Sequence, residues 1–145
     1  MQLYLPQVEA FPEATRLYRH WGERVKCGKR DRLYCLRQGE QTLGMARVLE
    51  PDSGVFLLRN LTVAPERRGQ SLGRELMRRL LADRSVQPLH CYALGHLQRF
   101  YESLGFQCLP LDSVPDAIAE PFARYQARGK PFVLMGVDLR ERVDV

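Results

Sequence analysis

The sequence predicts an α/β (α+β) fold, in which a mixed, mainly antiparallel sheet of six to seven strands is flanked by helices around a central β-α-β unit. Short apolar runs bounded by Gly, Pro, Asp or Asn recur along the chain, as is typical of strands. In the middle, a strand-like run, a run of helical spacing and a second strand-like run follow one another, which indicates parallel strands joined by a helix. With 145 residues, of which 45% are hydrophobic, we expect residues 1–145 to form a single domain.

The expected elements follow from periodicity and turn residues. In chain order they are strand Gln2–Leu5, helix Glu13–Gly22, a hairpin of Leu33–Gln38 and Thr42–Glu50, strand Val55–Val63, helix Ser71–Asp83, strand Pro88–Leu94, helix His96–Leu104, strand Phe106–Leu111, helical segment Val114–Arg128 and strand Pro131–Leu139. Gly105 and Gly129 are expected to end helices, because glycine takes the left-handed conformation easily. Ser113 is expected to cap the last helical segment, and Pro121 to interrupt it.

Composition and charge exclude several classes of protein. No run of about 18 apolar residues is present, and the first residues lack a basic segment, so we expect no membrane span, no secretory signal and a cytoplasmic location. The cysteines form no C-x-x-C pair, so we expect no metal site. The net charge of +5 comes mostly from arginine, which binds phosphates well. It indicates a phosphorylated cofactor, nucleic acid, or simply a solvated basic surface.

The segment Ala64–Leu76 lies between a predicted strand and a predicted helix. The first N–H groups of a helix lack intrahelical partners and lie at the positive end of its dipole, so they bind phosphate readily. Gly69 and Gly73 would let a phosphate approach the backbone, and Arg68 would add a charged donor. The segment is neither a P-loop nor a dinucleotide-binding fingerprint. A plain helix start capped by Ser71 is the alternative.

Two segments, Arg68–Gly73 and Gln98–Phe106, resemble conserved motifs of the GNAT superfamily of N-acetyltransferases. The run Arg68-Gly69-Gln70-Ser71-Leu72-Gly73 is similar to that family's pyrophosphate-binding pattern R/Q-x-x-G-x-G/A, with Ser71 where glycine is usual, and LLRNLTVAPE before it is similar to the family's fourth strand. The run QRFYESLGF, Gln98–Phe106, is similar to the F-Y-E-x-L-G-F that follows the family's fifth strand. The resemblance covers Phe56–Cys108, and outside it only the order of elements agrees.

The resemblance implies an N-acetyltransferase that uses acetyl-coenzyme A as co-substrate and acetylates a primary amine, of a small molecule or a peptide, by direct attack. The cofactor-binding residues that it implies are Leu61, Thr62, Val63, Arg68, Gly69, Gln70, Ser71, Leu72, Gly73 and Arg74. By the same resemblance, the backbone of Leu61 and Val63 pairs with the pantetheine arm, and the Leu61 N–H stabilises the thioester oxygen. Tyr101 would be the general acid for the coenzyme A thiolate. A tyrosine that only packs is the alternative.

The sequence leaves the acceptor side open. An alkylammonium group, with a pKa of about 10.4, must lose a proton before it attacks, and the stretch 57–60 has no carboxylate. A relay of waters could reach Glu50 or Asp52, the acceptor could be an amine of low pKa, or Arg59 could bind an acceptor carboxylate. Arg59 could equally face solvent.

Phe122 and Tyr125 are candidates to line the acceptor pocket, although their spacing also suits a helical face packed on the core. Two other functions compete with catalysis. One is a GNAT-like module that binds coenzyme A without turnover, and the other is an Arg-rich nucleic-acid binder that uses the helix Ser71–Arg84. The sequence lacks helix-turn-helix and RNA-recognition patterns, so nucleic acid is not expected. We expect a monomer or a homodimer.

Overall fold

A computed structural model describes residues 1–6 and 8–140 and contains a seven-stranded sheet flanked by helices, which confirms the predicted fold class. The strands are β1 (Gln2–Tyr4), β2 (Arg32–Gln38), β3 (Gln41–Asp52), β4 (Val55–Val63), β5 (Leu89–Leu94), β6 (Gln107–Cys108) and β7 (Phe132–Val137), in the order β1-β2-β3-β4-β5-β7-β6. The α-helices are α1 (Phe11–His20), α2 (Leu72–Leu81), α3 (Gln98–Ser103) and α4 (Asp116–Ala127). None of the helices in the described ranges is long and apolar enough to cross a membrane.

The chain forms two compact units, and β4 runs through both. The first unit comprises Met1–Leu49 with Arg59–Ala82. The second comprises Glu50–Leu58 with the described residues from Asp83 onward.

In the first unit, β1, β2 and β3 form an antiparallel meander. Helix α1 begins with a proline in its first turn, where the missing N–H costs nothing. It ends in a Schellman motif at Gly22, whose φ is +91°. Helix α2 buries one face, as its spacing predicts. The core on the α1 side consists of Phe11, Ala14, Tyr18, Trp21, Cys27, Leu33, Cys35, Met45 and Ala64.

In the second unit, β4 and β5 are parallel, as the β-α-β pattern predicts, with Phe56–Leu58 opposite Leu89–Cys91. Strand β5 pairs with β7 along its whole length, and β6 pairs with the other edge of β7; both pairings are antiparallel. The His90 Nδ1 lies 3.1 Å from the Phe56 carbonyl oxygen and links the two parallel strands.

Two predictions about α4 are wrong. Ser113 does not cap the helix, which begins three residues later; the Ser113 hydroxyl instead donates to the Pro110 carbonyl at 2.7 Å. Pro121 does not interrupt the helix, which is continuous around it. The proline removes a single hydrogen bond, and the buried side chains of Ile118 and Phe122 on either side hold the helix in place.

The elements around α3 are shorter than predicted. A 3-10 turn, Gly95–Leu97, replaces the start of the predicted helix. The predicted end is confirmed: Gly105 has φ +100°, and the Phe106 N–H donates to the Tyr101 carbonyl at 3.1 Å in a Schellman motif. The strand predicted at Phe106–Leu111 is reduced to the two residues of β6, because Pro110 and a second 3-10 turn follow.

Candidate functional site

Strand β4 contains a left-handed residue in its second half. Asn60 has φ +57°, a region that disfavours most L-residues and that asparagine tolerates better than most. The Tyr18 hydroxyl donates to the Asn60 carbonyl at 2.9 Å, and the Arg47 Nη1 donates to the Asn60 Oδ1 at 2.8 Å. Contacts from α1 and β3 thus hold this residue immediately before the predicted cofactor-binding residues of the strand.

Two contacts within the first unit hold the end of β4, one toward α1 and one toward β3. The Thr62 hydroxyl faces the α1 side, 3.4 Å from the Glu23 Oε1 and 3.3 Å from the Asn60 carbonyl oxygen. Directly after the strand, the Ala64 N–H donates to the Leu43 carbonyl at 2.8 Å. Leu61 and Val63, whose backbone is predicted to pair with pantetheine, are half-buried, and Thr62 is buried.

The loop that follows has two left-handed residues in close succession. Gly69 has φ +82° and Ser71 has φ +59°, with Gln70 between them. Alternation of this kind is found in backbone nests that bind anions. The predicted donors Arg68, Gly69, Gln70 and Ser71 are all exposed, and a Cβ atom built on Gly69 would meet nothing within 4 Å. The outer side of the loop is therefore open to a ligand.

Ser71 precedes α2 but does not cap it. Its side chain makes no capping hydrogen bond, and its carbonyl accepts the first helical bond, from the Glu75 N–H at 3.2 Å. Leu72, Gly73 and Arg74 form the first turn of α2. The alternative of a helix start capped by Ser71 is therefore wrong in its capping part, because the left-handed backbone replaces the usual capping geometry.

The charges on α2 favour an anion at its start. Arg79 Nε and Arg78 Nη1 lie 2.8 and 3.3 Å from the two carboxylate oxygens of Glu75. The hydrogen bond from Arg79, more than the nearby positive charges, lowers the pKa of Glu75. These arginines compensate the carboxylate charge, and the exposed Arg68 and Arg74 add positive charge beside the loop.

Tyr101 lies in the second unit, on α3, and is 7% exposed. Its ring packs edge-to-face against Phe100 and Phe106, with centroid distances of 5.2 and 5.3 Å. Burial, and to a smaller extent the nearby Cys91, raises the pKa of the Tyr101 phenol well above its usual value. The hydroxyl is therefore protonated at neutral pH.

The three acceptor candidates differ in their surroundings. Phe122 is buried and Tyr125 is half-buried, and both rings pack on Tyr92, with centroid distances of 5.6 and 5.8 Å. Phe122 and Tyr125 therefore both pack on the strand side of α4, as the alternative based on their spacing predicted. Arg59 is half-buried on β4.

The carboxylates considered for proton removal are placed differently from one another. The Glu50 Oε2 accepts the Gly54 N–H at 2.9 Å, and the Asp52 Oδ1 accepts the Ser53 N–H, also at 2.9 Å. Both therefore stabilise the turn between β3 and β4. Glu23, which sequence analysis did not single out, lies beside Thr62, one of the predicted cofactor-binding residues of β4.

A cavity of about 700 Å³ lies elsewhere in the first unit, between the start of α1 and the segment 26–29. Its lining is Glu9, Phe11, Pro12, Thr15, Arg16, Lys26, Cys27, Gly28 and Lys29. It contains none of the predicted site residues.

The acetyltransferase (GNAT) domain family matches residues 29–108, which is more than half of the chain. The chain therefore belongs to the GNAT acetyltransferase domain family, and the resemblance inferred from the two segments is confirmed. A search of curated proteins found no significant match.

Solved structures of acetyltransferases share the fold at low sequence identity. N-acetylglutamate synthase from Neisseria gonorrhoeae, with coenzyme A and N-acetyl-glutamate, is 14% identical with a TM-score of 0.69 over 97% of this chain, which spans only 36% of that synthase. Ribosomal-protein-S18-alanine N-acetyltransferase from Escherichia coli is 18% identical, with a TM-score of 0.65 over 99% of both chains. An aminoglycoside 6'-N-acetyltransferase with coenzyme A is 16% identical, with a TM-score of 0.63 over 99% of this chain and 100% of that one.

Proposed function

We propose that the chain is an acetyl-coenzyme A-dependent N-acetyltransferase whose residues 1–145 act as one domain. The observation that carries the proposal is the exposed loop 68–71, whose two left-handed residues lie between the end of β4 and the first turn of α2. Family membership supports the same function. The acceptor is a primary amine, of a small molecule or a peptide, that attacks directly.

The residues at the end of β4 and in the loop fit a pyrophosphate with an extended arm. The N–H groups from Gly69 to the first turn of α2 would hold the pyrophosphate, with Arg68 as a charged donor. The backbone of Leu61 and Val63 would pair with the arm as an added strand does. The bound co-substrate supplies an activated thioester, and the Leu61 N–H would stabilise negative charge that develops on its oxygen.

Tyr101 is the proposed general acid for the departing thiolate. A free thiol has a pKa of about 8.5 and a free phenol about 10, so in water the transfer would be uphill. Burial raises the pKa of the Tyr101 phenol, which makes it a weaker acid, so the transfer depends on the basicity of the departing thiolate. A thiolate out of water is a stronger base than one in water, which favours the transfer.

Glu23 is the proposed proton acceptor for the attacking ammonium group. Its backbone is fixed by the bond from its N–H to the Tyr18 carbonyl, 2.9 Å long, at the end of α1. Its carboxylate lies 3.4 Å from the hydroxyl of Thr62. Thr62 is the residue between Leu61 and Val63, the two β4 residues proposed to pair with pantetheine. A carboxylate here would attract an ammonium group and accept its proton. A low-pKa amine and a carboxylate bound by Arg59 stay as alternatives for the acceptor.

Calorimetric titration of acetyl-coenzyme A tests the proposal. We expect a dissociation constant in the micromolar range, weakened about tenfold or more by Arg68→Ala, because a charge-assisted contact is lost. Arg19→Ala, an exposed arginine on α1, is the matched control and should bind as the wild type does. If the wild type does not bind at millimolar cofactor, the proposal is wrong and nucleic-acid binding becomes the favoured alternative. That alternative predicts binding that weakens steeply with salt.

Turnover separates the enzyme from a module that only binds coenzyme A. Thiol release from acetyl-coenzyme A would be followed with glutamate, an aminoglycoside and a peptide with an N-terminal alanine, the acceptor types that the names of the structural relatives suggest. Acceleration by one of them supports catalysis. Binding without turnover on the whole amine panel supports the non-catalytic module.

A further inference from the structure

We infer that Arg47 is a positioning residue of the proposed transferase: with Tyr18, it holds Asn60 in the left-handed conformation and so sets the direction of the Leu61 N–H. The inference rests on the proposed function, because that N–H matters to activity only if acetyl-coenzyme A binds along β4. Arg47 and Tyr18 themselves are not proposed to touch the co-substrate.

Arg47 is anchored before it reaches Asn60. Its Nε and Nη2 both lie 3.0 Å from the Asp31 Oδ2, and the same oxygen accepts the Gly28 N–H at 2.8 Å. The Arg47 side chain is 14% exposed and that of Asp31 is 10% exposed. With two nitrogens bound to Asp31, Nη1 points in a fixed direction, because the guanidinium is planar. That nitrogen donates to the Asn60 side chain at 2.8 Å.

Tyr18 holds the other polar group of the same residue. It is fully buried, and its hydroxyl donates to the Asn60 carbonyl at 2.9 Å. Its ring packs edge-to-face on Trp21, which fixes its position. Burial is the main reason that the pKa of the Tyr18 phenol is raised, so the donor keeps its proton. The main chain and the side chain of Asn60 are therefore held by two different elements.

The consequence falls on the next residue. A left-handed residue inside a strand reverses the usual alternation and redirects the groups that follow, as β-bulges do. If Asn60 returned to extended backbone, the Leu61 N–H would point elsewhere and the proposed pairing with pantetheine would lose its register. The left-handed conformation costs free energy for any residue but glycine, although less for asparagine than for most, and contacts from the surroundings offset that cost.

A buried ion pair that merely stabilises the fold is the competing explanation, since removal of Arg47 leaves Asp31 without its charged partner. A rescue experiment separates the two explanations. Glycine takes positive φ without help, so Asn60→Gly should make the contact from Arg47 to residue 60 unnecessary. The variants are Arg47→Met, Asn60→Gly, their double variant, Asn60→Ala and Asp31→Asn.

The readouts are coenzyme A affinity by calorimetry and the rate of acetyl-coenzyme A turnover. We expect Arg47→Met and Asn60→Ala to bind about tenfold more weakly, from the cost of left-handed backbone, with turnover reduced as well. Asn60→Gly and the double variant should stay within about twofold of the wild type. Asp31→Asn should weaken binding less than Arg47→Met does, because Arg47 can still donate to Asn60 but is anchored less firmly.

The outcomes separate this inference from the proposed function. A double variant that binds as weakly as Arg47→Met would overturn the positioning role of Arg47, and so would equal affinities for Asn60→Ala and Asn60→Gly. In either case, coenzyme A binding by the wild type would still support the proposed function. The comparison of Ala with Gly at position 60 leaves the buried ion pair intact, so it tests the need for left-handed backbone even if Arg47→Met does not fold. A wild type that does not bind coenzyme A would overturn both.

Discussion

Gly44 of β3 faces the carbonyl oxygen of Thr62 so closely that a Cβ atom built on the glycine would lie 3.2 Å from that oxygen. The same atom would lie 3.6 Å from the Leu76 Cδ2 and 3.7 Å from the Val63 Cγ2. The first neighbour is backbone, which moves only if the strand moves. The absence of a side chain at this position therefore lets Thr62 and Val63, two of the predicted cofactor-binding residues, lie close to β3.

We expect Gly44→Ala to lower the free energy of unfolding by about 1–3 kcal/mol, the usual cost of overpacking. Coenzyme A affinity should fall as well, because the Thr62 peptide is displaced. Urea unfolding and calorimetry would measure the two effects. Gly28→Ala is the control, since its Cβ would meet nothing closer than 3.7 Å. Equal losses for the two variants would contradict the role assigned to this contact.

Replacement of Ser71 tests whether its backbone or its side chain matters. The left-handed φ of +59° and the lack of a capping bond predict that Ser71→Gly raises the free energy of unfolding, by up to about 1 kcal/mol. Ser71→Ala should change it by less than about 0.5 kcal/mol, because no cap is lost. Thermal unfolding of the two variants would decide. If serine capped α2, both variants would instead be less stable than the wild type, with alanine costing about 1 kcal/mol and glycine a few tenths.

The features predicted well from the sequence are local ones. The order β4, α2, β5 follows from apolar spacing, and the Schellman motif at Gly105 follows from one glycine and the residue after it. The loop before α2 was recognisable because its glycines lie within a few residues of each other. The roles assigned to the loop residues and to Tyr101 stay predictions, since they come from family resemblance.

The features that were missed depend on contacts between distant parts of the chain. Tyr18 and Asn60 are 42 residues apart, and Glu23 and Thr62 are 39 apart. No pattern in one sequence links such positions, although an asparagine inside an apolar strand was itself an unusual signal. Pro121 shows the converse, because burial on both sides of it outweighs its local tendency to break a helix.

Tyr101→Phe tests the proposed general acid. Removal of the hydroxyl should reduce turnover about 100-fold, in the range usual for a proton donor, with little change in coenzyme A affinity. The ring contacts with Phe100 and Phe106 survive, so the fold should be retained. Steady-state rates and calorimetry would give the two quantities. Tyr4→Phe, at an exposed tyrosine, is the control. Unchanged turnover in Tyr101→Phe would leave this tyrosine with a packing role only.

Glu23→Gln tests the proposed proton acceptor while preserving the shape of the side chain. We expect turnover with an alkylamine at neutral pH to fall about 100-fold. An amine of low pKa should be affected less, because a larger fraction of it is already neutral. Rates with the two kinds of amine would be compared, with Glu13→Gln on the exposed side of α1 as the control. Equal losses for both amines would indicate a role in binding instead of proton transfer.

Stability at alkaline pH tests the burial of the cysteines. Burial raises the pKa of the Cys35 thiol to about 12 from its ordinary value of 9.0, and Cys27 and Cys91 shift in the same direction for the same reason. A thiol whose pKa is raised on folding contributes stability that is complete below the unfolded pKa. Above that pH, the unfolded chain loses the proton and the folded chain keeps it.

We therefore expect the free energy of unfolding to fall as pH rises from about 9 towards 12, by up to about 1.4 kcal/mol per pH unit for each such group. The raised pKa of Tyr18 and of Tyr101 steepens the fall above about pH 10. Urea unfolding between pH 7 and the alkaline range would measure it. Cys35→Ala should be less stable at pH 7, through lost packing, and should then decline less steeply than the wild type. Parallel curves for the two proteins would mean that the Cys35 thiol ionises as easily in the folded chain as in the unfolded one.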